Sequence, residues 1–140
     1  MNEPASDVYG QGDATFRAAG GETGIRKLID AFYDLMVSDQ AYATIRSWHP
    51  QQIEISRDKL TAFLCGWMGG PRRYNEKYGR ISIPQAHAHL PITAVERDQW
   101  LACMKAALAQ QDYPVALKEY LLRELTVPAQ RIVETRAYRP

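Results

Sequence analysis

Across 140 residues the chain carries 17 Lys and Arg against 16 Asp and Glu, a net charge of +1 without a dense basic block, which argues against nucleic acid and membrane surfaces as partners. A hydrophobic content of 46% suffices for one sizeable core, so one compact domain is expected. No apolar run reaches the roughly 18 to 20 residues of a spanning helix, and MNEPASDVYG lacks the basic-then-apolar order of a signal peptide, so the expected compartment is the cytoplasm.

Residues 1–21 are rich in Gly, Ala and small polar residues, show no helical periodicity, and read as an N-terminal arm whose Tyr9 and Phe16 pack either on the body of the domain or on a second subunit. From Glu22 the pattern changes. Ile25, Leu28, Ile29, Phe32, Leu35 and Met36 mark one apolar helix face, which VSDQ at 37–40 breaks. A shorter helical stretch, AYATIRSW, runs into His49-Pro50, where the proline biases its neighbour away from helical geometry. Ser56 is the expected N-cap of the next helix, whose face is Leu60, Phe63, Leu64, Trp67 and Met68 and whose stop is Gly69-Gly70-Pro71.

RRYNEKYGRISIPQAHAH, residues 72–89, then reads as a long loop with at most a turn or two of helix. Loops of this length inside a compact domain are often functional. Thr93 followed by Glu96 is a capping box that opens a helix with Trp100, Cys103, Met104, Ala107 and Leu108 on one face, stopping near Asp112-Tyr113-Pro114. The last helix starts at about Pro114, carries Val115, Leu117, Tyr120, Leu121, Leu122 and Leu125, and is expected to be interrupted by Pro128. The domain is therefore drawn over residues 22–128, with a tail over 129–140. No alternating strand pattern occurs, so the class is all-α. Cys65 and Cys103 both fall inside helical apolar patterns and read as core thiols rather than a disulfide.

His87 and His89 stand one residue apart in the long loop, between Pro84 and Pro91. As an isolated pair they read as surface or packing residues. A loop can, however, leave a metal an open position, and no acidic or Cys partner lies nearby to complete a tetrahedral zinc site. A single histidine ligand is the arrangement of a five-coordinate haem iron.

FYDLM (32–36), WHP (48–50), GWMGGPRRYNEKYG (66–79) and ERDQWLACM (96–104) resemble the signature blocks of the group II truncated haemoglobins, in that family's order, with the match running from Gly20 to about Leu125. The resemblance implies a truncated globin fold, a two-over-two helical sandwich around haem b, with a mostly non-helical segment before the proximal histidine. The family's ligand stands thirteen residues before the tryptophan of the last block, which makes His87 the implied iron ligand, with His89 as the alternative. The residue before that ligand is commonly arginine. Here Ala86 stands there, preceded by Gln85, which removes the usual propionate contact from this segment.

On the distal side the resemblance assigns Tyr33, His49 and Trp100 to the ligand, as three hydrogen-bond donors. It puts Ser56 and Leu60 on the distal helix facing the ligand, Phe32 and Phe63 around the porphyrin, and Lys59 and Tyr74 against the propionates. On their own, Tyr33 and Trp100 read as plain core, and Lys59, Arg72, Arg73, Tyr74 and Lys77 as a solvated basic cluster. Pro50 and the polar Gln51-Gln52 suggest a corner mobile enough for His49 to swing onto ferric iron.

The implied function is binding of O2, CO and NO at five-coordinate iron, with sulfide as a further candidate. It extends to peroxidase-like or nitric oxide turnover fed by an unidentified reductase. The alternative is a non-catalytic storage or sensing module, and a third reading is a haem-free helical interaction domain. The expected assembly is a monomer or weak homodimer.

Overall fold

A computed structural model of the chain describes residues 8–137 apart from Ile81 and Ala88; residues 1–7 of the arm and 138–140 of the tail lie outside the described residues. Helix α2, Gly21–Ser38, is built on the expected stripe, with Ile25, Leu28, Ile29, Phe32 and Met36 all buried. It ends where Asp39 turns extended and its carboxylate accepts from the Ala41 N–H at 2.9 Å, which starts a 3-10 turn at Gln40–Tyr42 and then α3, Ala43–Ser47. The capping box at Thr93 is present and opens α7, Ala94–Ala109: the Thr93 N–H donates to Glu96 at 2.8 Å, and the Val95 N–H to Thr93 Oγ1 at 3.2 Å.

Three local expectations are corrected. Helix α4, Ile53–Trp67, begins three residues before Ser56, which is buried inside the helix rather than capping it. Ile53 packs against the core, and that burial draws in a first turn which the polar residues before Ser56 do not announce. The arm contains a short helix, α1, Ala14–Ala18, held by tertiary contact rather than by periodicity. Finally, α8, Val115–Ala137, runs straight through Pro128. Packing overrides the missing N–H there, because residues on both sides of the proline line one cavity wall. The long loop holds α5, Arg73–Tyr78, and the single turn α6, Ile83–Ala86, as the sequence allowed.

The Gly69-Gly70 stop has a second role that explains the arm. Gly69 sits at φ 91°, and a Cβ there would fall 1.9 Å from the Gly12 carbonyl oxygen; a Cβ on Gly70 would fall 2.4 Å from the Phe16 ring. The Phe16 N–H donates to the Met68 carbonyl at 3.0 Å. The two glycines thus form the seat on which the arm docks, and Tyr9, also buried, packs its ring at a tilt against Tyr120 of α8, centroids 5.3 Å apart.

Helix α2 packs against both α4 and α7, and α7 packs on α8, in a two-over-two helical sandwich. All described elements are helical. Among the described residues no helix is long and apolar enough to cross a membrane. Both cysteines are buried and free, and Cys103 Sγ donates to the Phe32 carbonyl at 3.3 Å. Burial pushes the thiols up, Cys65 to about 11 and Cys103 to about 12, so almost no thiolate exists near neutrality. Neither thiol is expected to react with iodoacetamide at neutral pH until the chain is unfolded. Fast labelling in the native state would contradict this.

Candidate functional site

Between the helix pairs lies a cavity of about 390 Å³, large enough for a sizeable small molecule or part of a cofactor. It gathers Tyr33 from α2, His49 from the corner after α3, Ser56, Lys59, Leu60 and Phe63 from α4, and Tyr74 from α5. His87 and His89 come from the loop after α6, and Trp100 comes from α7. Phe32 alone among the expected site residues does not line it. It is fully buried one layer behind, edge-on to Tyr33 at 5.0 Å and to Trp100 at 5.2 Å. Its ring therefore buttresses the two side chains that face the cavity instead of facing it itself.

The two histidines of the loop differ. His87 Nδ1 lies 2.7 Å from the Ile83 carbonyl, one turn back, and a carbonyl only accepts, so Nδ1 carries the hydrogen and Nε2 keeps a bare lone pair. His89 also lines the cavity but is exposed, and no described residue fixes its ring. Among the described residues no group of three or more His, Cys, Asp or Glu side chains could enclose a metal. The candidate iron donors are imidazoles, and of the loop's two only His87 is oriented by a hydrogen bond.

His49 is anchored in the same way, with Nδ1 donating to the Ile45 carbonyl at 2.8 Å. Its neutral ring therefore turns an acceptor, not a donor, to the cavity, which corrects the expectation of three donors. The corner is also less free than Pro50 suggested: the Arg46 guanidinium donates to the carbonyls of His49, Pro50 and Gln51 at 3.4, 3.1 and 3.3 Å. This clamp opposes a swing of His49.

The Tyr33 phenol and the Trp100 indole make no hydrogen bond to a described residue, so two donors at the cavity wall are unspent. Tyr33 is buried, and desolvation raises its phenol well above the ordinary value, while the Arg57 guanidinium, 5.9 Å over the ring, pulls the other way. Arg57 went unread in the sequence. It is held by Asp34 at 2.7 Å and by the carboxylate and carbonyl of Asp30 at 3.0 and 3.1 Å, so α2 and α4 are tied together beside Tyr33. Its signal was available, since Asp30 and Asp34 fall one turn apart on α2. Arg97, Ala129 and Ile132 also line the cavity unannounced; the last two lie beyond Pro128, where the helix was expected to break. Of the basic cluster, Lys77 pairs with Asp58, and Arg73 with Glu76 and Glu22. Lys59 has no carboxylate partner among the described residues.

The profile of the bacterial-like globin family matches residues 14–133. The chain is 29% identical over 121 residues to the group 2 truncated hemoglobin YjbI of Bacillus subtilis, covering 86% of this chain and 89% of that one. The group II 2-on-2 hemoglobin of Agrobacterium tumefaciens superposes with a TM-score of 0.79 at 31% identity, over 84% of this chain and 92% of that one. The chain belongs to the bacterial-like globins, as a group II truncated haemoglobin. The cold-adapted truncated hemoglobin of Pseudoalteromonas haloplanktis TAC125 is similarly near, with a TM-score of 0.82 and 28% identity over 85% of this chain and 96% of that one. Haem-based binding of small ligands is the function that this family carries.

The residues of this truncated haemoglobin fit such a group. A mostly apolar cavity with two oriented imidazoles, His87 and His49, and a lysine without a carboxylate partner among the described residues suits a flat, hydrophobic, anionic-edged iron cofactor, and does not suit a hydrated ion. Burial, aided by Arg46 and His87, holds His49 below the usual histidine value, against the opposing pull of its bond to Ile45. The unfolded chain then binds a proton that the folded chain resists, so stability falls as pH drops through the ordinary histidine range near about 6.5. His49→Phe is expected to flatten this part of the curve, measured as the difference between the two proteins' thermal midpoints at pH 5 and pH 7. An unchanged difference would mean that His49 does not titrate with folding.

Proposed function

We propose that this truncated haemoglobin holds haem b through His87 and binds O2, and also CO and NO, on the face lined by Tyr33 and Trp100. The observation that carries the proposal is the content of one cavity: an imidazole with a bare Nε2 and two hydrogen-bond donors that nothing else uses. When bound, the haem supplies an iron with one open position for a diatomic ligand and shifts electron density onto that ligand. Tyr33 Oη and Trp100 Nε1 would then donate to it in a mostly apolar pocket, where such bonds are stronger than in water. Lys59 and Tyr74 are the residues for the propionates, and Leu60 and Phe63 for the porphyrin face. A truncated haemoglobin of Bacillus subtilis, 29% identical over 85% of this chain, is oxygen-avid, which supports retention rather than delivery.

His49 favours a turnover reading beside simple binding. Its bare Nε2 can take a proton from a peroxide or a water in the cavity and return it, the task of a distal base. Turnover would need electrons from a reductase, and a storage or sensing module would not. Absorption spectra of the purified protein in ferric, ferrous and CO-treated forms test the haem reading, and absence of a Soret band ends it. Steady consumption of peroxide or nitric oxide with a supplied reductant separates turnover from storage.

A further inference from the structure

We propose that Tyr78 is a one-electron oxidation site on the protein surface, connected to the cavity through Tyr74, at which small phenols are oxidised with peroxide as the oxidant. The inference rests on the haem reading above. Tyr74 lines the cavity, its ring edge-on to Phe63 at 6.5 Å, and the ring of Tyr78, one turn further along α5, packs against Tyr74 with centroids 5.1 Å apart and planes tilted by 48°. Tyr78 is 37% exposed, so two phenol rings in contact lead from the cavity wall to solvent.

The Tyr78 hydroxyl donates to Asp58 Oδ2, and Lys77 Nζ braces the same carboxylate at 3.1 and 3.3 Å. An exposed tyrosine has no structural need to give its proton to a carboxylate on another helix, because water would satisfy it. A phenol that loses an electron becomes a strong acid, however, and its proton needs an acceptor already in place. Asp58 is that acceptor. Lys59 Nζ stands 5.3 Å over the Tyr78 ring, and a cation there makes the ring's electron harder to remove. The radical, once formed, is the stronger oxidant for it.

Tyr78 passes one electron through the Tyr74 ring toward the cavity and its hydroxyl proton to Asp58, leaving a neutral tyrosyl radical beside a protonated carboxyl. A small phenol at the surface gives one electron to that radical, Asp58 returns the proton, and the phenol's own proton goes to water. The phenol leaves as a phenoxyl radical. Two rounds deliver the two electrons that, with two protons, convert one hydrogen peroxide to two waters.

The test uses the haem-loaded protein with hydrogen peroxide, guaiacol as the phenol, freeze-quenched electron paramagnetic resonance, and a spin trap whose adducts are mapped by mass spectrometry. A tyrosyl signal with an adduct on Tyr78 is expected. Tyr78→Phe should lose that adduct and most of the guaiacol oxidation while leaving the CO-bound spectrum unchanged. Tyr74→Phe should lower the yield on Tyr78, as should Asp58→Asn, which keeps an oxygen for the hydroxyl but is a poorer base. An adduct confined to Tyr33, or guaiacol oxidation undiminished in Tyr78→Phe, overturns the proposal while the haem reading stands. A preparation with no Soret band overturns both.

Discussion

Replacement of His87 by Gly is expected to abolish the five-coordinate ferrous spectrum, and His89→Ala is expected to keep it. Both histidines line the cavity, but they differ in preparation: His87 Nδ1 is committed to the Ile83 carbonyl at 2.7 Å, which fixes the ring and leaves Nε2 bare, while no described residue orients His89. A ligand ring held by a carbonyl on its far nitrogen loses less freedom on coordination and is the more basic for it. Glycine at position 87 also opens a space for exogenous imidazole, which should restore the spectrum in the variant. That rescue separates loss of a ligand from loss of the fold. If His89→Ala loses the spectrum and His87→Gly retains it, the assignment is reversed.

Trp100→Phe is expected to speed O2 dissociation by about tenfold to a hundredfold, since a hydrogen bond to a charged group contributes roughly 1.5 to 3 kcal/mol and each 1.4 kcal/mol or so is a factor of ten. The substitution keeps an aromatic ring against Phe32, which lies 5.2 Å away, so packing changes little while the Trp100 indole donor is removed. Tyr33→Phe should act in the same direction through its lost phenol. The double variant should fall short of the sum of the two, because Phe32 touches both rings and either donor can shift when the other is gone. Stopped-flow displacement of O2 by CO measures all three. An unchanged off-rate in Trp100→Phe would mean that the indole does not touch the ligand.

Much of this was legible because apolar periodicity and caps are local properties. The stripe from Ile25 to Met36, the Thr93–Glu96 box and the Gly69-Gly70 stop each depend on residues a turn or less apart, and each appears where the pattern puts it. The all-α class, the buried thiols and the family, through four separated blocks, follow from the same short-range information. Other features depend on which elements meet, and no window along the chain contains that. Helix α4 starts early because Ile53 finds the core, and α8 survives Pro128 because residues beyond it have a cavity wall to line. Phe32 sits behind the site rather than in it because helix rotation, not composition, decides which of two adjacent aromatics faces inward. His49 turns an acceptor to the cavity because Ile45 O captures its other nitrogen, and a hydrogen bond fixes a tautomer only when both partners are in place. The sequence by itself determined the all-α class, the main apolar helix stripes and the family; only the tertiary structure decided where helices α1, α4 and α8 begin or continue, and which face, which tautomer and which neighbour each candidate side chain has, since those are set by contacts between residues far apart in the chain.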